Sequence, residues 1–172
     1  MPHSDEWLEV IDDTGRIVGT ALRSELHSDP SRVHRVVHVL VFDAEGRLLL
    51  QKRSLTKDIA PGRWDTSVGG HISPGETVEE AAYREMSEEL GLDACRLKFL
   101  YSRLYRNHRE SEMVHTYSCL TDRQRVFDFC REEITEVKFW SFQEIRAALG
   151  TGLFSSHFEQ EFRHYIAYAE KA

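Results

Sequence analysis

The sequence is poor in cysteine and has no long apolar run. Its three cysteines, Cys95, Cys119 and Cys130, are widely spaced and odd in number, which favours reduced thiols in the cytoplasm over a disulfide framework. No apolar run approaches the roughly 20 residues that span a bilayer. The first residues, MPHSDEWLEV, lack the basic and apolar parts of a signal peptide. We therefore expect a cytoplasmic protein with no membrane partner.

Positive charge is also in short supply. The chain has 22 lysines and arginines against 29 aspartates and glutamates, a formal net charge of −7, which argues against nucleic acid as the main partner. The negative charge does not argue against a phosphorylated small molecule as substrate, because a bound metal can reverse the local electrostatic field. The chain has no low-complexity linker and no internal repeat, and its 41% hydrophobic content is typical of one globular domain.

The densest pattern lies in residues 70–92, GHISPGETVEEAAYREMSEELGL. A glycine-rich turn leads into a predicted helix, for which Thr77 and Glu80 form a capping-box pattern and Gly91 is the expected end. Apolar residues recur at spacings of three and four and predict a buried stripe. The members of this stripe are Val78, Ala81, Ala82, Met86 and Leu90.

The same helix concentrates Glu85, Glu88 and Glu89 on another face. Like charges at this spacing repel, so the arrangement costs stability unless a cation lies among them. Mg²⁺ takes oxygen ligands and usually binds through a few carboxylates plus substrate phosphates. Arg84 can pair with Glu88 one turn on. A solvated acidic face is the alternative, but the glycine turn, the arginine and the spacing favour a metal site.

These residues match a long published pattern, the Nudix box, G-x5-E-x7-R-E-U-x-E-E-x-G-U with U apolar, at every specified position. The matching residues are Gly70, Glu76, Arg84, Glu85, Met86, Glu88, Glu89, Gly91 and Leu92. The chain therefore resembles the Nudix hydrolases, which cleave a nucleoside diphosphate linked to another group by means of a metal-activated water. The resemblance implies Mg²⁺ or Mn²⁺ as cofactor and a small-molecule diphosphate as substrate.

The resemblance also implies roles for single residues. The metal-ligating and catalytic set is Glu85, Glu88 and Glu89, with the carbonyl of Gly70 as a further ligand. Arg84 orients these glutamates. Glu76 is either an additional ligand or a group that supports the ligands, and the identity of the general base stays open.

Basic residues in the loop 53–63 are candidates for binding the substrate phosphates. They are Arg53, Lys57 and Arg63. Solvated surface charge is an equally good explanation for each of them taken singly.

A second resemblance involves five residues outside the helix. His27, His34, His71, Glu110 and Glu112 resemble the metal ligands of isopentenyl-diphosphate isomerase, a Nudix-fold enzyme that moves protons, and form a possible second metal site. That isomerase needs a cysteine just before its glycine–histidine pair, where this chain has Gly69. Its box is also usually degenerate, whereas this one is complete. A hydrolase is therefore preferred, with an isomerase-like enzyme and a non-catalytic nucleotide sensor as alternatives.

The strand and helix patterns predict a mixed sheet covered by helices, either α/β or α+β. The Nudix resemblance implies an α/β/α sandwich with a mixed central sheet. Two strands flanking the turn DDTG predict an N-terminal β-hairpin, so we divide the chain into an extension, 1–31, and a Nudix domain, 32–172. The hairpin either covers an edge of the fold or serves a homodimer. Trp64 to Val68 is predicted to be one short strand.

Overall fold

The computed structural model describes residues 5–172 and confirms the α/β class and the mixed sheet. The first four residues of the predicted extension lie outside the described residues. Within 5–172 the chain forms nine strands and four helices. In order they are β1 (Trp7–Ile11), β2 (Ile17–Leu22), α1 (Arg23–Leu26), β3 (Val33–Phe42), β4 (Leu48–Arg53), β5 (Trp64–Asp65), β6 (Val68–His71), α2 (Val78–Leu90), β7 (Lys98–Arg106), β8 (Ser111–Leu120), β9 (Ile134–Trp140), α3 (Phe142–Ala148) and α4 (Ser156–Ala169).

The prediction of one strand from Trp64 to Val68 is wrong, because two separate strands, each with a different pairing partner, lie in this segment. β5 pairs with β4, whereas β6 pairs with β3. Between β5 and β6, the side chain of Ser67 bridges two other strands. Its hydroxyl accepts a hydrogen bond from the Val41 amide of β3 (3.0 Å) and donates one to the Leu49 carbonyl of β4 (2.5 Å). The glycine–histidine pair of the box therefore sits in a separate strand.

The chain folds as two compact units, and β3, β6, α2 and β8 each contribute residues to both. The first unit comprises residues up to Val39, Gly69–Glu85 and Leu97–Ser118. It contains the predicted hairpin of β1 and β2, and β1 also pairs with β3. β7 and β8 form a long antiparallel pair in the same unit. Most of the predicted site residues belong to this unit.

The second unit comprises Leu40–Val68, Met86–Arg96 and Cys119–Ala172. Here β4 pairs with both β5 and β9. The consecutive leucines at the start of β4 are all buried, which confirms that this strand is covered on both faces. In α4, Phe158 and Phe162 are likewise buried.

Two contacts give the direction of β8 relative to β3. The Ser111 hydroxyl donates to the Pro30 carbonyl (2.5 Å), and the Thr121 amide donates to the Phe42 carbonyl (2.9 Å). The residues at or before the start of each strand and at or after its end are thus matched in the same order along the chain, so β8 runs parallel to β3. In contrast, β1 pairs antiparallel with both β2 and β3. In the part of the chain described, no helix combines the length and apolar character needed to cross a membrane.

Candidate active site and metal centre

The helix α2 is fixed at both ends as the sequence predicts. The Glu80 amide donates to the Thr77 hydroxyl (3.2 Å), and the Glu80 carboxylate accepts from the Thr77 amide (2.8 Å), which completes the capping box. Gly91 ends the helix at φ +61°, and its amide donates to the Ser87 carbonyl (2.9 Å). These caps fix the direction in which the glutamates project.

The Glu85 carboxylate lies directly beside Gly70. A Cβ added at Gly70 would lie 2.1 Å from the carboxyl carbon of Glu85 and 2.3 and 2.6 Å from its oxygens. A side chain at position 70 therefore requires the Glu85 carboxylate to move, and glycine leaves it in place. The Glu85 carboxylate therefore lies against the backbone of the residue whose carbonyl is the predicted further ligand, an oxygen-rich arrangement suited to a hard cation.

Arg84 holds this carboxylate in place. Its guanidinium binds both oxygens of Glu76 (2.8 and 2.9 Å) and one oxygen of Glu85 (2.7 Å), and it also donates to the His71 carbonyl (2.9 Å). Hydrogen bonds from Arg84 lower the pKa of Glu76, so Glu76 is ionised at neutral pH. This geometry supports an orienting role for Arg84 and an anchoring role for Glu76.

The other two glutamates of the helix differ in exposure: Glu88 is exposed and Glu89 is buried. The Glu89 carboxylate accepts a hydrogen bond from the Gln51 side chain (2.9 Å), which also donates to the Ser67 carbonyl (3.1 Å). Gln51 was not predicted to belong to the site. A polar residue directly after three buried leucines was a usable signal, because a buried amide needs partners.

The three basic residues proposed for phosphate binding already contact other groups of the protein. Arg53 donates to the Ile59 carbonyl (2.8 Å), Lys57 lies 3.5 Å from a Glu133 oxygen, and Arg63 donates to a backbone carbonyl. These contacts fix the loop but do not test substrate binding, which stays a prediction.

The histidines of the second predicted set converge in the first unit, although they come from different elements. His27, His34, His71 and Glu112 each place one ligand atom within 4.8 Å of all the others. The Nε2 atoms of His27 and His71 are 3.4 Å apart, and Nε2 of His34 is 3.5 Å from a Glu112 oxygen. This spacing suits four ligands around one divalent ion.

Glu110 lies beside this group, with an oxygen 3.2 Å from Nε2 of His27. Burial, aided by the positive charge of Arg23, lowers the pKa of His27 to about 4. His27 is therefore neutral near pH 7, the form that binds metals. The His34 side chain is fully buried, and among residues 5–172 neither of its ring nitrogens has a hydrogen-bond partner. A bound metal ion would give one of these nitrogens a partner, so this set of donor atoms fits a metal.

The position that holds a cysteine in the isomerase is crowded in this chain. A Cβ added at Gly69 would lie 3.2 and 3.4 Å from two ring atoms of His38, a buried residue of β3. A side chain at position 69 therefore requires the His38 ring to shift. The sequence had given no reason to assign His38 to the site.

Comparison with known proteins decides the family. Residues 32–161 match the model of the NUDIX domain. The chain belongs to the Nudix family. An isopentenyl-diphosphate Delta-isomerase of Streptomyces griseus is 35% identical over 158 residues, 88% of this chain and 79% of that protein. An uncharacterized Nudix hydrolase of Listeria monocytogenes is 34% identical over 161 residues, 90% of each protein.

Solved structures agree with this family assignment. The crystal structure of the Deinococcus radiodurans protein DR0079 has a TM-score of 0.80 and 27% identity, and the match covers 92% of this chain and 98% of that one. The predicted Nudix-type fold is thereby confirmed. The family match and the Nudix hydrolase relatives identify the chain as an enzyme of the pyrophosphohydrolase class.

Proposed function

We propose that this Nudix enzyme hydrolyses a diphosphate linkage in a nucleoside diphosphate derivative or a similar small organic diphosphate, with Mg²⁺ or Mn²⁺ as cofactor. The ligands would be Glu85, Glu88, Glu89 and the Gly70 carbonyl. The observation that carries this proposal is the Glu85 carboxylate packed against the side-chain-free backbone of Gly70. A substituent there would displace the carboxylate, so the glycine is explained by the ligand set.

Two carboxylates of the set are held by neighbouring side chains, which would place them for this reaction. When bound, the metal would neutralise the diphosphate oxygens and lower the pKa of a water molecule. Arg84 holds Glu85 through the 2.7 Å hydrogen bond, and Gln51 holds Glu89 through one of 2.9 Å. Fixing the carboxylates in advance matters, because small misplacements at a reacting centre slow the reaction strongly.

We further propose that the histidine and glutamate set binds a second divalent metal such as Zn²⁺ or Mn²⁺. Imidazole and carboxylate together suit these ions. The support is the 4.8 Å grouping of His27, His34, His71 and Glu112, with Glu110 beside His27. Elemental analysis of the purified protein, before and after His71→Ala, tests this directly: we expect a second metal that the variant loses.

Isomerisation of isopentenyl diphosphate is the second candidate function, favoured by the same cluster and by the relatives named for that activity. Gly69 weighs against it, because it has no side chain to move a proton to or from carbon, and His38 occupies the space beside it. We therefore expect no formation of the dimethylallyl isomer. Measurable isomerisation by the unmodified protein, with both metals supplied, would overturn this conclusion.

One panel tests the hydrolase proposal. Nucleoside diphosphates, dinucleotides, sugar nucleotides and prenyl diphosphates are incubated with Mg²⁺ or Mn²⁺. Phosphate release is measured directly for the substrates that carry a terminal phosphate, and after phosphatase treatment for the dinucleotides and sugar nucleotides. We expect metal-dependent hydrolysis of at least one class, which the variant Glu85→Gln lacks. Hydrolysis that persists in this variant would show a contaminating enzyme or a wrong site. Action in a reducing cytoplasm and homodimer formation stay predictions.

A further inference from the structure

The two ring nitrogens of His71 have different partners. Nε2 faces the other residues of the histidine and glutamate set and is 3.4 Å from Nε2 of His27. Nδ1 lies 2.6 Å from a carboxylate oxygen of Glu6. A hydrogen bond from imidazole to carboxylate keeps the proton on Nδ1. The lone pair of Nε2 then points into the cluster. Metal-binding histidines commonly have such a carboxylate on their second nitrogen.

Glu6 comes from outside the region that defines the family. It directly precedes β1, in the hairpin that lies before residues 32–161. The same hairpin holds the box turn at a second point, because Glu9 accepts from the Gly75 amide (3.0 Å) and from Arg35 (2.5 Å). The turn that carries His71 is therefore attached to carboxylates of the hairpin at both of its ends.

We propose that Glu6 is a positioning residue of the histidine metal centre, which holds the His71 ring so that Nε2 is presented to the ion. This inference rests on the metal centre proposed above. Arg23 also approaches the Glu6 carboxylate, but at 3.8 Å, so the 2.6 Å contact to His71 is the stronger one. The N-terminal hairpin thus supplies part of the site.

Cobalt titration of the metal-free protein, followed by visible absorption, tests the role of Glu6. We expect Glu6→Gln and Glu6→Ala to weaken Co²⁺ binding by about 10- to 100-fold, the usual effect of removing the partner of a metal-binding histidine. Asp5→Asn is the matched control. It removes the neighbouring carboxylate, which accepts from the Ser24 amide, and should bind Co²⁺ like the unmodified protein.

A double-mutant cycle separates positioning from a general effect on folding. If Glu6 acts through His71, then Glu6→Ala has no further effect on Co²⁺ affinity in a His71→Ala background. NMR of the His71 ring in the metal-free protein gives a second measure. We expect the proton on Nδ1 in the unmodified protein, and a shift towards the Nε2 tautomer in Glu6→Ala.

The outcomes are distinguishable. Co²⁺ affinity within twofold of the unmodified protein in both Glu6 variants would overturn the positioning role, as would an equal loss in the His71→Ala background. Failure of the unmodified protein to bind Co²⁺ at the histidines would overturn the metal centre together with this role. In that case the tautomer shift would still show that Glu6 orients the ring, and hydrolysis at the glutamate site would be unaffected.

Discussion

At the scale of single residues, a missing side chain is as informative as those that are present. Gly70 lies so close to the Glu85 carboxylate that even a methyl group would overlap it. Glycine is usually explained by a positive φ, but here the reason is the space occupied by a neighbouring charged group. The glycine required at this position of the box is therefore explained by the placement of Glu85, a proposed metal ligand.

The variant Gly70→Ala should lower kcat/KM by roughly 100-fold or more, because it forces the Glu85 carboxylate out of place. Apparent Mg²⁺ affinity should fall with it. Gly19→Ala serves as control, since nothing lies within 4 Å of an added Cβ there. Steady-state kinetics over a series of Mg²⁺ concentrations measure both quantities. Equal activity of the two variants would refute the crowding argument.

We expect Glu85→Gln and Glu89→Gln to lower turnover by several orders of magnitude while the protein stays folded. Each substitution keeps the size of the side chain but removes the charge of a proposed metal ligand. Glu79→Gln is a control on the same helix, because Glu79 is exposed and lies outside the fixed positions of the box. Circular dichroism checks the fold, and near-normal hydrolysis at saturating Mg²⁺ in either ligand variant would contradict the assignment.

At the scale of elements, the helix α2 is capped at its N-terminus and carries three neighbouring glutamates. Its N-terminal hydrogen bonds satisfy backbone amides that have no partner within the helix, and its apolar stripe is buried except for the half-buried Val78. We expect Thr77→Ala to lower the free energy of unfolding by about 1 kcal/mol, as is usual for the loss of such a cap. Urea denaturation measures this change, and Thr77→Ser, which keeps the hydroxyl, should restore most of the loss.

The ion pair between Glu76 and Arg84 gives the turn before α2 a predictable pH dependence. Because Arg84 lowers the pKa of Glu76 in the folded protein, the pair stabilises the fold above the unfolded pKa, and that stabilisation is lost as the pH falls through the folded value. The difference in Tm between the unmodified protein and Glu76→Gln should therefore be largest near pH 7 and shrink in acid. A difference that grows in acid would contradict this account.

At the scale of the whole molecule, two proposed metal sites should act as separate sources of stability. A metal that binds only the folded chain adds about 2.7 kcal/mol at a hundredfold excess over its Kd, which is roughly 5 to 10 °C in Tm for a chain of this size. Mg²⁺ should stabilise His71→Ala but not Glu85→Gln, and Co²⁺ at low concentration should do the reverse. Thermal melts of the two variants with each metal test this independence.

Much of the site could be predicted because it is encoded locally. The caps of α2, its buried stripe and the common face of its glutamates all follow from residues within one or two turns. The N-terminal hairpin was likewise predicted, since turn residues between two apolar segments are a short-range signal. The break between β5 and β6 escaped prediction because it depends on Ser67 bonding two other strands.

The sequence by itself determined the family, the acidic helix and the types of residue available to bind metal, because these depend on identity and close spacing. Only the tertiary structure decided that four candidate metal ligands lie close together. His27 follows α1, His34 lies on β3, His71 ends β6 and Glu112 lies on β8. It also decided that Gln51 and Glu6 support Glu89 and His71. Contacts between residues so far apart in the chain arise from strand pairing and packing, and spacing along the sequence does not specify them.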